Sequence, residues 1–316
     1  MRERIIYVWV LLIVLLFTSF GNCISIEGVL DRMSHGTYGE TVGRYLYVLS
    51  TKITIYDASD SVNLENVNSI IIPAAEIKSF QIRDSLLYMV ASDDKFYIYS
   101  LRDTVNPVEK SHVNLPGYAG RNVVTIVLNG DYAYLPARIK ELQIVNISNP
   151  SSPVMVGECD CDQPRMATVY GEQLFVTKTN ELIVLNISSP TSPTEVGRIP
   201  IAGSVHQIMT KNGKFYMLVD DTVKMYNILS DRVPRLVKSL DMQTATRNLI
   251  IRDDGTGLLL CDTMLTSIII RSDTAYVIAT KNLRSGTGKD IALKGKIAFA
   301  IRLTSYILSM FRGLYH

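Results

Sequence analysis

The chain has 316 residues, of which 47% are apolar and 20% charged, with a formal net charge of +2. That balance excludes a disordered polymer, and a charge so near zero excludes a nucleic-acid binder that works through a strongly basic face. Four scattered cysteines are too few for a disulfide-built scaffold.

The first element in chain order is an address. Met1-Arg2-Glu3-Arg4 gives a charged lead, Ile5 to Phe17 is an unbroken run of 13 apolar residues, and the small residues Ser19 and Gly21 follow. This three-part layout predicts a signal peptide over residues 1–21, cut after Gly21, and a secreted or cell-surface protein. The run is shorter than the roughly 20 apolar residues of a membrane span. A buried strand or an uncleaved anchor is the other reading. Cys23 invites lipidation, but Phe20-Gly21-Asn22 before it is a poor signal, because Asn22 is not a small apolar residue. Membrane contact is therefore expected only through the leader or, as the lesser alternative, through a lipidated Cys23.

Residues 24–316 read as a single domain built of repeats. Glu141 to Gly157 (ELQIVNISNPSSPVMVG) returns as Glu181 to Gly197 (ELIVLNISSPTSPTEVG), identical at 10 of 17 positions. The same register extends along the chain through apolar anchors at Tyr47, Tyr88, Tyr134, Phe175, Tyr216, Leu258 and Phe299. Four residues before each anchor stands Gly43, Asp84, Gly130, Gly171, Asn212, Asp254 or Gly295, residue types that tolerate the positive φ of tight turns. Third strands are predicted from Ile53, Phe96, Leu142, Leu182, Val223, Leu265 and Tyr306. Fourth strands follow proline-bearing loops, as at Val154-Met155-Val156, with Pro107 and Pro234 marking the loops of units two and five.

A four-stranded antiparallel unit of about 41 residues, repeated in this way, predicts an all-β fold: a seven-bladed β-propeller, with six blades as the alternative. The extra residues between Tyr88 and Tyr134 fall in a loop around Leu115 to Gly120. The apolar tail Ile291 to Phe311 reads as the seventh unit rather than a membrane anchor, because Lys294, Lys296 and Arg302 interrupt it. Ile24 to Leu30 is expected to supply its fourth strand and close the ring, since an open ring would expose an unpaired edge.

The runs Leu142-Gln143-Ile144-Val145-Asn146 and Leu182-Ile183-Val184-Leu185-Asn186, with their Ile-Ser-x-Pro-x-Ser-Pro continuations, resemble the LVIVD repeat. Val223-Lys224-Met225-Tyr226-Asn227 resembles it more loosely. The resemblance implies an exported or surface-located bacterial or archaeal propeller, and it brings no catalytic residues. This chain departs from the repeat in carrying Asn146 and Asn186 where Asp is usual.

Chemistry is sparse. Asn146-Ile-Ser148 and Asn186-Ile-Ser188 have the N-glycosylation pattern, although an Asn that starts a turn explains both. Cys159-Asp160-Cys161-Asp162 offers two thiols on one side of a strand, but neither a zinc spacing nor four ligands, so no metal and no cofactor are expected. Gly286-Thr-Gly288-Lys289 imitates the end of a phosphate loop but lacks its first glycine, at Leu283, and has Asp290 in place of Ser or Thr.

The remaining constellation lies ten residues before the anchors, where first strands begin beside the central channel. It comprises Lys78, Arg165, His206 and Lys289, with Arg247 adjoining Asn248 and Arg121 slightly upstream of its register position. If these converge at the channel mouth, they would hold an anionic ligand or an acidic loop of a protein partner. The function expected is that of a non-catalytic binding module. The alternatives are a propeller enzyme (a polysaccharide lyase or hydrolase), for which no acid–base set stands out, or a structural part of a surface layer.

Overall fold

A computed structural model describes residues 9–17, 24–34, 38–60, 64–116, 123, 125–138, 141–229, 232–262, 264–271, 274–282, 287–294 and 297–304. Most of the predicted leader, Cys23, the loop after Pro116, Arg121, Gly286, Gly295 and Tyr306 lie outside them.

The chain opens with β1 (Trp9–Phe17) and β2 (Ile24–Ser34). Blade 1 is β3 (Tyr38–Val42), β4 (Tyr45–Leu49), β5 (Ile53–Asp57) and β6 (Glu65–Ile70). Blade 2 is β7 (Ile77–Arg83), β8 (Leu86–Ala91), β9 (Lys95–Ser100) and β10 (Val108–Asn114). Blade 3 is β11 (Val127–Asn129), β12 (Tyr132–Pro136), β13 (Leu142–Asn146) and β14 (Val154–Cys159). Blade 4 is β15 (Ala167–Tyr170), β16 (Gln173–Thr177), β17 (Glu181–Asn186) and β18 (Thr194–Pro200). Blade 5 is β19 (Val205–Lys211), β20 (Lys214–Val219), β21 (Thr222–Leu229) and β22 (Arg232–Asp241). Blade 6 is β23 (Thr246–Ile251), β24 (Thr256–Cys261), β25 (Met264–Arg271) and β26 (Thr274–Asn282), and β27 (Thr287–Lys294) and β28 (Ile297–Thr304) end the chain.

Each of these six blades is a meander of four sequential antiparallel strands, so the all-β propeller is the architecture observed. A further four-stranded sheet joins the two ends of the chain in the order β27-β28-β1-β2. Its β27 lies against β23 and β3, between blades 6 and 1. Ile24 to Leu30 therefore falls within the fourth strand of this sheet, as expected, but the third place is held by Trp9–Phe17. The sequence assigned that place to the run at Tyr306, and assigned Trp9–Phe17 to the leader.

The anchors explain why a blade needs neighbours. Tyr47, Tyr88, Tyr134, Phe175, Tyr216 and Leu258 all sit on second strands and are at most 2% exposed. The apolar faces meet in layers between consecutive blades: Tyr47 and Leu87 in one, Tyr88 and Leu135 in the next, Phe175 and Phe215 further round. An isolated blade would leave those faces in water. Two of the tyrosine hydroxyls reach the following blade. Tyr47 donates to the Thr104 carbonyl, and Tyr134 donates to that of Pro190 at 3.4 Å.

The turns follow the predicted residue types. Gly43, Asp84, Gly130, Gly171 and Asn212 all have φ between 50° and 58°. Blade 6 differs by one residue: Gly255 takes the positive φ of 82°, and Asp254 instead accepts the Thr256 N–H at 2.8 Å. Pro234 is not in a loop but inside β22, an edge strand, where its missing N–H breaks no ladder.

Every outer strand of the six blades carries a bulge at an equivalent place, and β22 has a second irregularity at Val233-Pro234. At the equivalent place the unpaired residues are Val67, Lys110, Val156, Val196, Val237 and Ile278. A bulge strengthens local twist and spoils an exposed edge as a template for another strand. The Val-Gly that closes each long repeat follows from the same region. A Cβ at Gly157 would lie 2.9 Å from the Thr191 carbonyl oxygen, and one at Gly197 would lie 2.1 Å from Val233 Cγ2. Neighbouring blades approach so closely there that a larger residue would force the Thr191 backbone or the Val233 side chain to shift.

Candidate functional site

Antiparallel meanders alternate their connections, so the starts of first strands and the turns between second and third strands share one face of the ring. The opposite face carries the tight first turns and the proline loops. Asn146 and Asn186 lie on that opposite face. Asn146 Oδ1 accepts the Ser148 N–H at 2.9 Å and the Ser148 hydroxyl at 2.7 Å, and Asn186 Oδ1 accepts the Ser188 N–H at 2.8 Å. Both side chains therefore shape the turn that begins each loop.

On the first face, Lys78, His206, Arg247 and Lys289 share a backbone feature. Each is the extra residue of a bulge at the head of its first strand, between Ile77 and Ser79, Val205 and Gln207, Thr246 and Asn248, and Gly288 and Asp290. A bulged residue drops out of the ladder and its side chain is re-aimed, as is common at rims and sites. Arg165 reaches the same face differently. Its N–H donates to the Thr177 carbonyl at 2.8 Å, just before β15 begins. Arg121 lies outside the described residues, and of Lys289 only the backbone is described.

These side chains do not form one positive ring. Arg247 grips Asp262 through two bonds, Nε to Oδ1 at 2.6 Å and Nη2 to Oδ2 at 2.7 Å. Its Nη1 stands 3.3 Å from His206 Nδ1, which ties blade 6 to blade 5. Hydrogen bonding by Asp262 raises the Arg247 guanidinium above its usual range. Lys78 Nζ lies 2.5 Å from Glu76 Oε2, and this bond lowers the Glu76 carboxyl. Lys78 also lines a cavity of about 340 Å³ with Tyr38, Ser79, Phe80 and Thr125 from blades 1 to 3.

The less neutralised positive charge is elsewhere on this face. A cavity of about 420 Å³ opens among blades 3, 4 and 5, with Arg138, Arg165, Lys178, Thr179 and Ser204 among its lining residues. Arg165 Nη2 bonds Thr179 Oγ1 at 3.4 Å, and among the described residues neither Arg138 nor Arg165 has an ion-pair partner. Lys178 is shared between Glu181 at 2.9 Å and Asp162 at 3.3 Å. Hydrogen bonding to Lys178 lowers the Glu181 carboxyl and in turn raises the lysine. Sequence reasoning found Arg165 and missed Arg138 and Lys178. The signal was available: Lys178 stands three residues after the Phe175 anchor and Arg138 four after Tyr134, in turns that return to the face where first strands begin.

The channel wall between first strands is stitched by polar side chains. Gln207 accepts the Leu249 N–H at 2.6 Å and donates to the Leu249 carbonyl at 3.2 Å. Thr125 Oγ1 accepts the Ala167 N–H at 3.2 Å. Glu40 takes the corresponding role between blades 1 and 2, with Ile82 N–H donating to Oε2 at 3.0 Å and the Tyr38 hydroxyl to Oε1 at 2.5 Å. Burial outweighs both bonds and raises the Glu40 carboxyl from 4.5 to about 7. Cys159 and Cys161 meet at the outer corner of blade 3, with Cys161 Sγ 3.5 Å from Cys159 Sγ. Among the described residues no group of three or more His, Cys, Asp and Glu side chains is arranged to hold a metal ion.

Comparison with known proteins agrees with this geometry. Residues 120–161 and 166–200, covering blades 3 and 4, match the LVIVD repeat. No curated protein sequence gives a significant match. A solved protein from Lactobacillus plantarum superposes with a TM-score of 0.73 at 11% identity, over 92% of this chain and 99% of that one. The Cps50 (Swd1) β-propeller domain of Myceliophteria thermophila gives 0.64 at 11% identity, over 86% and 98%. A chain of a mitotic checkpoint complex gives 0.64 at 10% identity, over 82% and 84%. At such identities these likenesses speak for the fold alone.

Proposed function

We propose that this propeller is an extracytoplasmic binding module that takes an anionic ligand, or an acidic loop of a protein partner, on the face where its first strands begin. The observation that carries this reading is the cavity among blades 3 to 5, where Arg138 and Arg165 converge without carboxylate partners among the described residues. Cations on the low-dielectric wall of a concave site focus the field and raise the local concentration of anions. Thr179 and Ser204 add hydroxyls to the lining, which suits a carboxylate or a phosphate-like group. The bulged residues Lys78, His206 and Arg247 supply a wider rim, but Glu76 and Asp262 already neutralise much of the charge of Lys78 and Arg247. The extracytoplasmic location rests on the leader pattern at residues 1–21.

A fluorescent glutamate-rich peptide serves as the probe. Anisotropy should show saturable binding that weakens with salt and falls at least tenfold in the Arg138→Ala/Arg165→Ala variant. Equal binding by that variant, at an unchanged melting temperature, would remove the cavity from consideration.

A further inference from the structure

The described residues contain three cysteines, all reduced: Cys159, Cys161 and Cys261. Two of them form an unusual unit. Cys159 ends β14 and is half-buried, whereas Cys161 is only 3% exposed, and their sulfurs stand 3.5 Å apart. The chain turns sharply after the pair, with Asp162 and Gln163 both at positive φ (45° and 61°). Asp162 N–H donates to Asp160 Oδ1 at 3.2 Å, and its carboxylate reaches Lys178 Nζ at 3.3 Å. The loop is therefore fixed at both sides of Cys161, which holds the inner sulfur against the outer one. A disulfide requires the sulfurs to approach to about 2.05 Å, a closure that side-chain rotation and a small backbone adjustment can provide.

We propose that Cys159 and Cys161 form a redox-active dithiol that exchanges with low-molecular-weight disulfides, Cys159 being the attacking sulfur and Cys161 the resolving one. The roles follow from access. A disulfide arriving from solvent reaches Cys159 first, while Cys161 is shielded and adjacent. In the first step the Cys159 thiolate attacks one sulfur of R–S–S–R, forming a mixed disulfide and expelling RS⁻. In the second, Cys161 Sγ attacks Cys159 Sγ and the second RS group departs with the Cys161 proton as RSH. Overall, the protein dithiol is oxidised to an intramolecular disulfide, and one external disulfide is reduced to two thiols. The hydrogen bond from Cys161 favours the thiolate at Cys159 and lowers its pKa, as a nucleophilic sulfur requires. Cys261 provides a built-in control. It is fully buried in blade 6, out of reach of a disulfide arriving from solvent, so it should remain inert.

The test uses the full-length protein, equilibrated in mixtures of reduced and oxidised glutathione, alkylated and mapped by peptide mass spectrometry. Cys159 and Cys161 should lose alkylation together and appear linked to each other, while Cys261 stays reduced. Cys161→Ser should accumulate glutathione on Cys159, and Cys159→Ser should leave Cys161 unmodified. The proposal is overturned if wild-type Cys159 retains glutathione without closing the ring, if the two single variants react at equal rates, or if neither thiol of the pair reacts. Melting curves of both variants check that altered reactivity does not come from unfolding. Peptide binding by the Arg138→Ala/Arg165→Ala variant is a separate readout, so either idea can fail alone.

Discussion

Glu40→Gln should remove one pH-dependent contribution to the stability of the propeller. The Glu40 carboxyl is raised from 4.5 to about 7, chiefly because it is buried in the channel wall. Between those values the folded state holds a proton that the unfolded state releases. Stability is therefore full below about pH 4.5 and declines as pH rises through about 7. At about 1.4 kcal/mol per unit, and allowing for the residue's partial exposure, the decline attributable to Glu40 is about 2–3 kcal/mol. Glutamine keeps the shape and cannot ionise, but its amide faces one of the two donors, Tyr38 hydroxyl or Ile82 N–H, and loses about 1 kcal/mol of hydrogen bonding. The variant should be less stable than wild type by about 1 kcal/mol at pH 5 and more stable by about 1–2 kcal/mol at pH 8. Urea midpoints at both pH values measure this. The carboxyls that are lowered, such as Glu76 and Glu181, titrate below this window, and histidine titration cancels in the difference between the two proteins. A wild-type-minus-variant difference that stays constant from pH 5 to 8 would refute the reasoning.

Three further outcomes follow from the contacts between and within blades. Gly197→Ala places a methyl against Val233 and should cost about 1–3 kcal/mol in chemical denaturation, with partial recovery in Gly197→Ala/Val233→Ala. Arg247→Ala strands Asp262 on a half-buried rim and should cost about 1 kcal/mol, a loss that shrinks in high salt. Asn146→Asp and Asn186→Asp keep the oxygen that accepts the Ser148 and Ser188 N–H groups. Both should leave the melting temperature within about 2 °C of wild type, with the mass of the secreted protein unchanged apart from the substitution.

Much of the fold was legible because the repeat states its physics at each position. A buried aromatic or leucine fixes the second strand, and a residue tolerant of positive φ precedes it by four. The bulges were not legible. An added residue in a strand shifts the alternation by one and reads in sequence as a shorter strand beside a longer loop. The charged positions at Lys78 and His206 could be found by register, but the reason their side chains leave the ladder could not. Their neutralisation was equally hidden: Asp262 lies 15 residues from Arg247 and meets it only because the turn after β24 returns beside the head of β23. The closing sheet was half legible. Its β27, β28 and β2 follow the repeat, whereas its third strand comes from the end of the chain that the sequence read as an export leader.

That third strand yields the most consequential prediction. Trp9–Phe17 pairs along its length with β28 on one side and β2 on the other. Strands in a sheet lie about 4.8 Å apart, so removing one interior strand leaves a gap of about 10 Å that no backbone hydrogen bond spans. Processing after Gly21 would thus leave β28 and β2 with unpaired inner edges, unless another strand enters the vacancy. In sequence, Tyr306-Ile307-Leu308 is the run that stands in register for it. Hydrogen exchange should compare the full chain, residues 22–316 and residues 22–304. If the tail fills the place, amides of Ile297–Thr304 stay protected in the 22–316 chain and lose protection in the 22–304 chain. If Trp9–Phe17 is the resident strand, protection is lost in both shortened chains and the melting temperature falls with it. Equal protection in all three would show that β28 needs no partner on that edge, and would remove the pairing of β1 from the account of how the ring closes.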